Sequence, residues 1–305
     1  MHRHTAAALV ILSGIWTTDT WTSRTWTTDT ATPSTSSAAA HPASNTSPAA
    51  PPVAHVDPRL ACVRDRVVVI GHRGIGPGTR SLYGTARSED TVPAFKAAMR
   101  AGADGFETDF WPTADSAVVS HHDATLARMT NGTGEIRRRS SGYVAAVRNV
   151  SGAPVPTFHG VLKQLRSTRP HVQQEFKDGW LFSSRVLRRL ARLDRDLVPD
   201  VSKSVLWTTS QRSTLRRFHR LVPDIPIGLI DRSHGRPRLS TIPSWVDVIL
   251  IEFGAADAAY IRRATARGHQ VSLREVNDAQ RMRQAVRMGA ARVVTDRPEV
   301  LGRAC

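Results

Sequence analysis

An α/β chain that closes as an eight-stranded parallel barrel is predicted by three observations. Eight short runs rich in β-branched and apolar residues recur between residues 67 and 295, and helical patterns fall between most of them. The segment holding them, residues 59–305, has the length that such a barrel fills as one unit, roughly 250 residues. Ionisable residues gather at the C-terminal ends of several runs, the face where a barrel of this kind carries its chemistry.

The first 58 residues stand outside the pattern. "MHRHTAAALVILSGIW" has a weakly cationic start and an apolar run from Ala6 to Trp16, too short to span a bilayer and suited to a signal peptide. A Thr/Ser/Ala/Pro tract follows, in which WTTDT occurs at Trp16–Thr20 and again at Trp26–Thr30. Such a tract cannot bury enough apolar surface to offset chain entropy and reads as disordered. Small-residue cleavage sites lie around Ala38–Ala40, and no cysteine after the run offers a lipid anchor. A secreted or extracytoplasmic location is expected, against an ordinary disordered extension or a start codon placed too early.

The strand-like runs come in order at 67–70, 105–110, 171–176, 204–209, 226–230, 247–252, 270–275 and 292–295. Between the first two, Thr91 can cap a helix over "VPAFKAAMRA" that stops at Gly102. "LFSSRVLRRLARL" places Leu187, Leu190 and Leu193 on one flank, and "NDAQRMRQAVRMG" reads as a helix from an Asn277 cap to Gly289. A ninth run, 117–120, follows the second strand across the turn "PTADS" and reads as its hairpin partner. The expected fold is a (β/α)8 TIM barrel with a hairpin-borne insertion after strand 2, the insertion covering residues 124–157. The glycine-rich stretch "IGPGTRSLYGTAR" reads as a long surface loop, with a lid as the alternative.

The formal net charge is +16, almost all of it arginine, with Lys96, Lys163, Lys177 and Lys203 the only lysines. Such a surface suits anionic partners, although a compositional bias that spreads arginine over a solvated surface is the better account of most of it. No helix-turn-helix, zinc-finger spacing or aromatic-basic interleaving points to nucleic acid, and no stretch reads as an exposed aromatic or amphipathic membrane-docking element. Cys62 and Cys305 bracket the domain outside any CxxC pair, so thiolate metal binding is not expected. In an exported chain they can form one disulfide; two free thiols are the alternative.

Candidate functional residues follow from the strand ends. Run 67–70 breaks at Gly71 and delivers His72 and Arg73, which taken alone is also what a solvated strand end looks like. Glu107 and Asp109 are two apart and share one face of a strand, as do Glu175 and Lys177. The hairpin run ends in His121, His122 and Asp123. Each group has a bland reading, a half-wet carboxylate pair, a same-face ion pair or a loop histidine. Their concurrence at separate strand ends argues otherwise. Carboxylates aimed into one mouth repel unless a cation sits between them, and oxygen ligands suit magnesium or calcium.

With those residues in view, "VVIGHRG", "SEDTVPAFKAAMRAGADGFETDFWPTADSAVVSHHDATLARMTNGTGEI", "VPTF", "QQEFK" and "ARVVTDRPEVL" resemble the glycerophosphodiester phosphodiesterase family, in family order over residues 66–302. The resemblance implies that His72 and His122 are general acid and base, and that Glu107, Asp109 and Glu175 hold one divalent cation, Ca2+ or Mg2+. It implies that Arg73 and Lys177 bind substrate at the phosphate. It further implies hydrolysis of a glycerophosphodiester to glycerol 3-phosphate and an alcohol, with the glycerol's neighbouring hydroxyl attacking to give a cyclic phosphate.

The chain departs from the family pattern at three places. Asp90 stands where the family has asparagine and is expected to add a negative charge near the site. Ser210 and Arg274 occupy positions where the family often has Phe and Trp. Arg274 can meet a second anionic group of the substrate or pair with Glu252 or Glu275, so a choline leaving group cannot be assumed. Two other functions remain open on sequence grounds: a lipid phosphodiesterase of the phospholipase or sphingomyelinase D kind, and a non-catalytic binder of anionic wall polymer.

Overall fold

The computed structural model describes residues 66–77, 79–82 and 85–303, with side chains left out at 79–87 and 301–303. The leader, the repeat, Cys62 and Cys305 lie outside the described residues.

Eleven strands are present in that span: β1 (Val68–Gly71), β2 (Thr79–Leu82), β3 (Thr85–Ser88), β4 (Gly105–Pro112), β5 (Val118–Ser120), β6 (His171–Phe176), β7 (Val205–Thr209), β8 (Ile227–Ile230), β9 (Val248–Glu252), β10 (Gln270–Arg274) and β11 (Arg292–Thr295). Eight of them pair in parallel in the order β1-β4-β6-β7-β8-β9-β10-β11, and β11 returns to β1 with Val68 opposite Arg292 and Gly71 opposite Thr295. The barrel is therefore closed, with helices between the strands. Closure leaves no parallel edge unpaired and buries strands on both faces, which is why their sequences are continuous apolar runs.

Alternation along the strands sorts their side chains. Phe106, Val172, Trp207, Ile249, Leu273 and Val293 join the helices in one buried cluster. Leu206, Ile230, Val248 and Leu250, of opposite parity, form a small apolar plug. Phe176 is the hub of the outer aromatic layer, with ring centroids 4.6 Å from Trp207, 5.1 Å from Phe218 and 5.2 Å from Phe182.

β5 is antiparallel to β4, with Phe110 opposite Ser120, as the hairpin reading requires. After β5 the chain builds a satellite cluster from Leu126, Ile136, Val144, Val147 and Val155, which packs on Trp111 and Val119. It rejoins the barrel layer at the helix Phe158–Leu165.

The structure corrects several local expectations. The stretch read as a surface loop forms a two-stranded hairpin, β2 with β3, in register from Thr79 opposite Ser88 to Leu82 opposite Thr85. The two strands pair with each other as a sheet separate from the barrel. The last long helix, Ala279–Met288, is capped by Asp278, whose side chain accepts from Arg281 N; Asn277 is engaged elsewhere. Ser204 belongs to the short helix Val201–Ser204 and not to β7. Trp180, just after β6, is 64% exposed, an aromatic on the surface where none was expected.

Candidate active site

β1 ends at Gly71 because nothing larger fits: a Cβ there would lie 2.1 Å from the Gly74 carbonyl oxygen and 2.7 Å from Ala98 Cβ. The chain turns sharply, His72 N donates to Thr295 O, and Arg73 adopts a left-handed φ of 47° that is unusual for a residue with a side chain. Arg73 N donates to Glu107 Oε2 at 3.0 Å, which anchors the strained residue to the neighbouring strand. His72 Nε2 lies 4.0 Å from the same oxygen, and His72 Nδ1 lies 2.6 Å from Asp296 Oδ1.

Glu107 and Asp109 on β4 face the interior together, and Asp109 is the register partner of Glu175 on β6. One carboxylate oxygen from each of the three lies within 4.8 Å of the others. Lys177 Nζ sits between two of them, 2.9 Å from Asp109 Oδ1 and 2.8 Å from Glu175 Oε1. Arg73 adds a contact at 3.5 Å to Asp109 and another at 3.2 Å to Glu89.

This crowding divides the carboxylates. Burial, then repulsion from Asp109, Asp90 and Glu175, pushes Glu107 well above the usual carboxylate range. Burial would do the same to Asp109, but Lys177, His122 and Arg73 outweigh it and hold Asp109 at about 2. Burial opposes the charge on Lys177, and Asp109 and Glu175 reverse that and raise it. Asp109 Oδ2 stays buried without a hydrogen bond, 3.5 Å from Arg73 Nε. An all-oxygen set of this size and charge fits a hard divalent cation.

His122 follows β5 and is held by its neighbour, with Nδ1 2.7 Å from Asp123 Oδ1. Burial lowers its pKa, as do Lys177 and Arg73, against the pull of Asp109. His121 points the other way: its ring is buried and its Nε2 lies 3.1 Å from the Thr125 carbonyl, a structural role. Arg128 bridges Asp123 to Glu89, so one carboxylate, Glu89, receives both Arg73 and Arg128.

Folding disfavours the negative charge expected of Asp90. It is fully buried, and burial followed by repulsion from Asp109 raises its pKa well above the usual carboxylate range. Its Oδ1 accepts from Thr108 Oγ1 at 2.9 Å and from Asp109 N at 3.1 Å. A protonated carboxyl here presents the same neutral, acceptor-bearing shape as an amide.

Beside these groups opens a cleft of about 340 Å³, lined by Trp111, His122, Glu175, Lys177, Ser210 and Arg232 among others. Arg274 is not among its lining residues. Its NH2 donates to the Asp231 carbonyl at 3.0 Å and lies 3.8 Å from Glu252 Oε1, the alternative pairing foreseen for it. The arginine that faces the cleft is Arg232, after β8, which reaches Glu175. Sequence reasoning missed Arg232, Arg128 and Asp296: Arg232 and Asp296 follow β8 and β11 with no ionisable partner two positions back on the strand, and Arg128 lies in the segment after β5.

His72, Arg73, Glu107, Asp109, His122, Glu175 and Lys177 are therefore brought together at one end of the barrel. A model of the glycerophosphoryl diester phosphodiesterase family matches residues 72–300, from the first of these histidines to a point beyond the last strand. The chain belongs to that family. A glycerophosphodiester phosphodiesterase from Caldanaerobacter subterraneus subsp. tengcongensis is 24% identical over 251 residues, covering 77% of this chain and 96% of the relative. Among solved structures, a family member from Agrobacterium tumefaciens superposes with a TM-score of 0.65 at 20% identity, covering 78% of this chain and 98% of its own. An Oleispira antarctica phosphodiesterase, solved with the product sn-glycerol-3-phosphate, superposes with a TM-score of 0.64 at 17% identity and covers 79% and 97%. The family is one of phosphoric diester hydrolases, and the fold of these neighbours is the barrel described above.

Proposed function

We propose that this chain hydrolyses glycerophosphodiesters to glycerol 3-phosphate and an alcohol by proton transfer between His72, His122 and substrate, beside a divalent cation held by Glu107, Asp109 and Glu175. The observation that carries the reading is the convergence of two imidazoles on one three-carboxylate group. A phosphodiester is an anion and resists attack until its charge is offset. The cation, when bound, supplies that neutralisation at the phosphoryl oxygens.

The chain's own residues do the rest. Lys177 holds two of the carboxylates in register and adds positive charge where the phosphate sits. Arg73, anchored by its backbone to Glu107 and by its guanidinium to Glu89, adds a second cation at a fixed place. One histidine accepts the proton of the attacking hydroxyl and the other donates to the departing alkoxide, each transfer worth about 10²–10⁴-fold. In both histidines Nδ1 is taken by a carboxylate, Asp296 for His72 and Asp123 for His122, which leaves Nε2 for the substrate. Ser210 and Arg232 stand beside Trp111 in the cleft wall, which supports a polar leaving group. The apolar run and the Thr/Ser/Pro tract support export.

The purified chain is to be assayed for glycerol 3-phosphate release from a panel of glycerophosphodiesters with calcium, with magnesium and with chelator, beside His72→Ala. Metal-dependent release that the variant lacks is expected. Release that survives both chelator and His72→Ala would refute the mechanism.

A further inference from the structure

Asn277 stands where a helix cap was expected, yet Asp278 caps that helix and Asn277 turns to the end of β11. Its amide oxygen accepts from Asp296 N at 2.8 Å and from Thr295 Oγ1 at 3.2 Å. Its Nδ2 donates to Asp296 Oδ2 at 2.8 Å. The Asp296 side chain is therefore gripped by one oxygen, and the other, Oδ1, is aimed at His72 Nδ1 at 2.6 Å. The backbone reinforces the pairing, because His72 N donates to Thr295 O at 2.8 Å.

A neutral imidazole has a single N–H, and an ionised carboxylate can only accept. A carboxylate fixed at Nδ1 therefore selects the tautomer with the proton on Nδ1 and leaves the Nε2 lone pair facing outward. When the ring carries both protons, Nδ1–H stays with the carboxylate and the N–H at Nε2 is the one available to a leaving group. Burial would raise the pKa of Asp296, but the hydrogen bonds from His72 and Asn277 with the His72 charge outweigh it, and the carboxyl stays below its ordinary value. Nε2 in turn points to the site, 4.0 Å from Glu107 Oε2.

We propose that Asp296, gripped by Asn277, is a positioning residue that fixes the tautomer and orientation of His72. The proposal deepens the hydrolytic reading and rests on it for the role of His72 in proton transfer. The His122 side is wired differently: Asp123 is held by the cation Arg128 and not by an amide. The two imidazoles therefore stand before unequal electrostatic backing, and only the His72 pair depends on a residue from the far end of the chain.

The test uses the full chain with two readouts. In Asp296→Asn, kcat is expected to fall about 10²–10⁴-fold with KM within about threefold, since a lost orientation acts on the proton-transfer step and not on binding. Asp296→Glu is expected to restore part of the loss, and Asn277→Ala to show a smaller fall in kcat with the same unchanged KM. The second readout is the 15N histidine spectrum, with His72 assigned by difference from His72→Gln. The wild-type ring is expected as the Nδ1–H tautomer and the Asp296→Asn ring as a mixture with Nε2–H. A wild-type kcat in Asp296→Asn, or a His72 ring that keeps its Nδ1–H tautomer there, would overturn the proposal. Should Asp296→Asn fail to fold, Asn277→Ala carries both readouts. Should the wild type hydrolyse no diester, the hydrolytic reading falls and the tautomer alone decides the positioning role.

Discussion

Asp194 gives the sharpest stability test. It sits on the helix Ser184–Leu197, fully buried, with Oδ1 accepting from Gln174 Nε2 of β6 and Oδ2 from Trp207 Nε1 of β7, both at 2.8 Å. Burial pushes its carboxyl up from 3.8 to about 7, against the two hydrogen bonds that favour the charged form. The folded chain therefore binds one proton more than the unfolded chain between about pH 4 and pH 7. Stability from this group is full below the unfolded pKa and is lost as pH rises through about 7. A shift of about 3 units corresponds to about 4 kcal/mol in total, of which about 2.5 kcal/mol falls between pH 5 and pH 9. Asp194→Asn removes the titration while keeping the shape. Its amide oxygen can accept from Trp207, and its NH₂ can donate to Gln174 Oε1, which has no hydrogen-bond partner in the native chain, once that amide turns over. Urea unfolding of both proteins at pH 5, 7 and 9 is the assay. The variant is expected to gain on the wild type by about 2–3 kcal/mol from pH 5 to pH 9. A difference that stays flat across that range would show that Asp194 is ionised in the folded chain at low pH, and would refute the burial argument.

Three further outcomes follow from the geometry. Asp90→Asn keeps the shape and an oxygen acceptor where the acid's charge is disfavoured and is expected to change kcat/KM by less than about threefold, whereas Asp90→Ala leaves Asp109 N without its buried acceptor and is expected to cost about 1–3 kcal/mol of unfolding free energy. Phe176→Ala empties the centre of the aromatic layer and is expected to cost about 3–5 kcal/mol by chemical denaturation. Asp109→Asn removes the carboxylate that both Arg73 and Lys177 approach, and isothermal titration with calcium and magnesium is expected to show at least tenfold weaker binding than the wild type.

Much of the site was legible because it lies at strand ends. Period-two spacing alone places Glu107 with Asp109 and Glu175 with Lys177 on common faces, and the breaks at Gly71 and after Ser120 mark His72 and His122. These are local properties, set by how a pleated strand alternates its side chains, and they survive whatever tertiary arrangement surrounds them. Arg274 shows where that logic ends. It stands at the end of β10 as its position suggests, but its guanidinium is taken up by Asp231 and Glu252, and the cleft receives Arg232 from a loop with no periodicity to read.

By itself the sequence determined the alternation of strands and helices, the parallel barrel and the set of groups at its mouth, since hydrophobic period and turn residues act over a few positions. The tertiary structure decided what those groups touch. Asp296 meets His72 across 224 positions of chain only because closure lays β11 against β1. The pKa of Asp90 is raised only because folding removes water from around it while bringing Asp109 close. Charge state and hydrogen-bond partner are properties of a three-dimensional environment, where desolvation and distance set the energies, and no local pattern of residues encodes them.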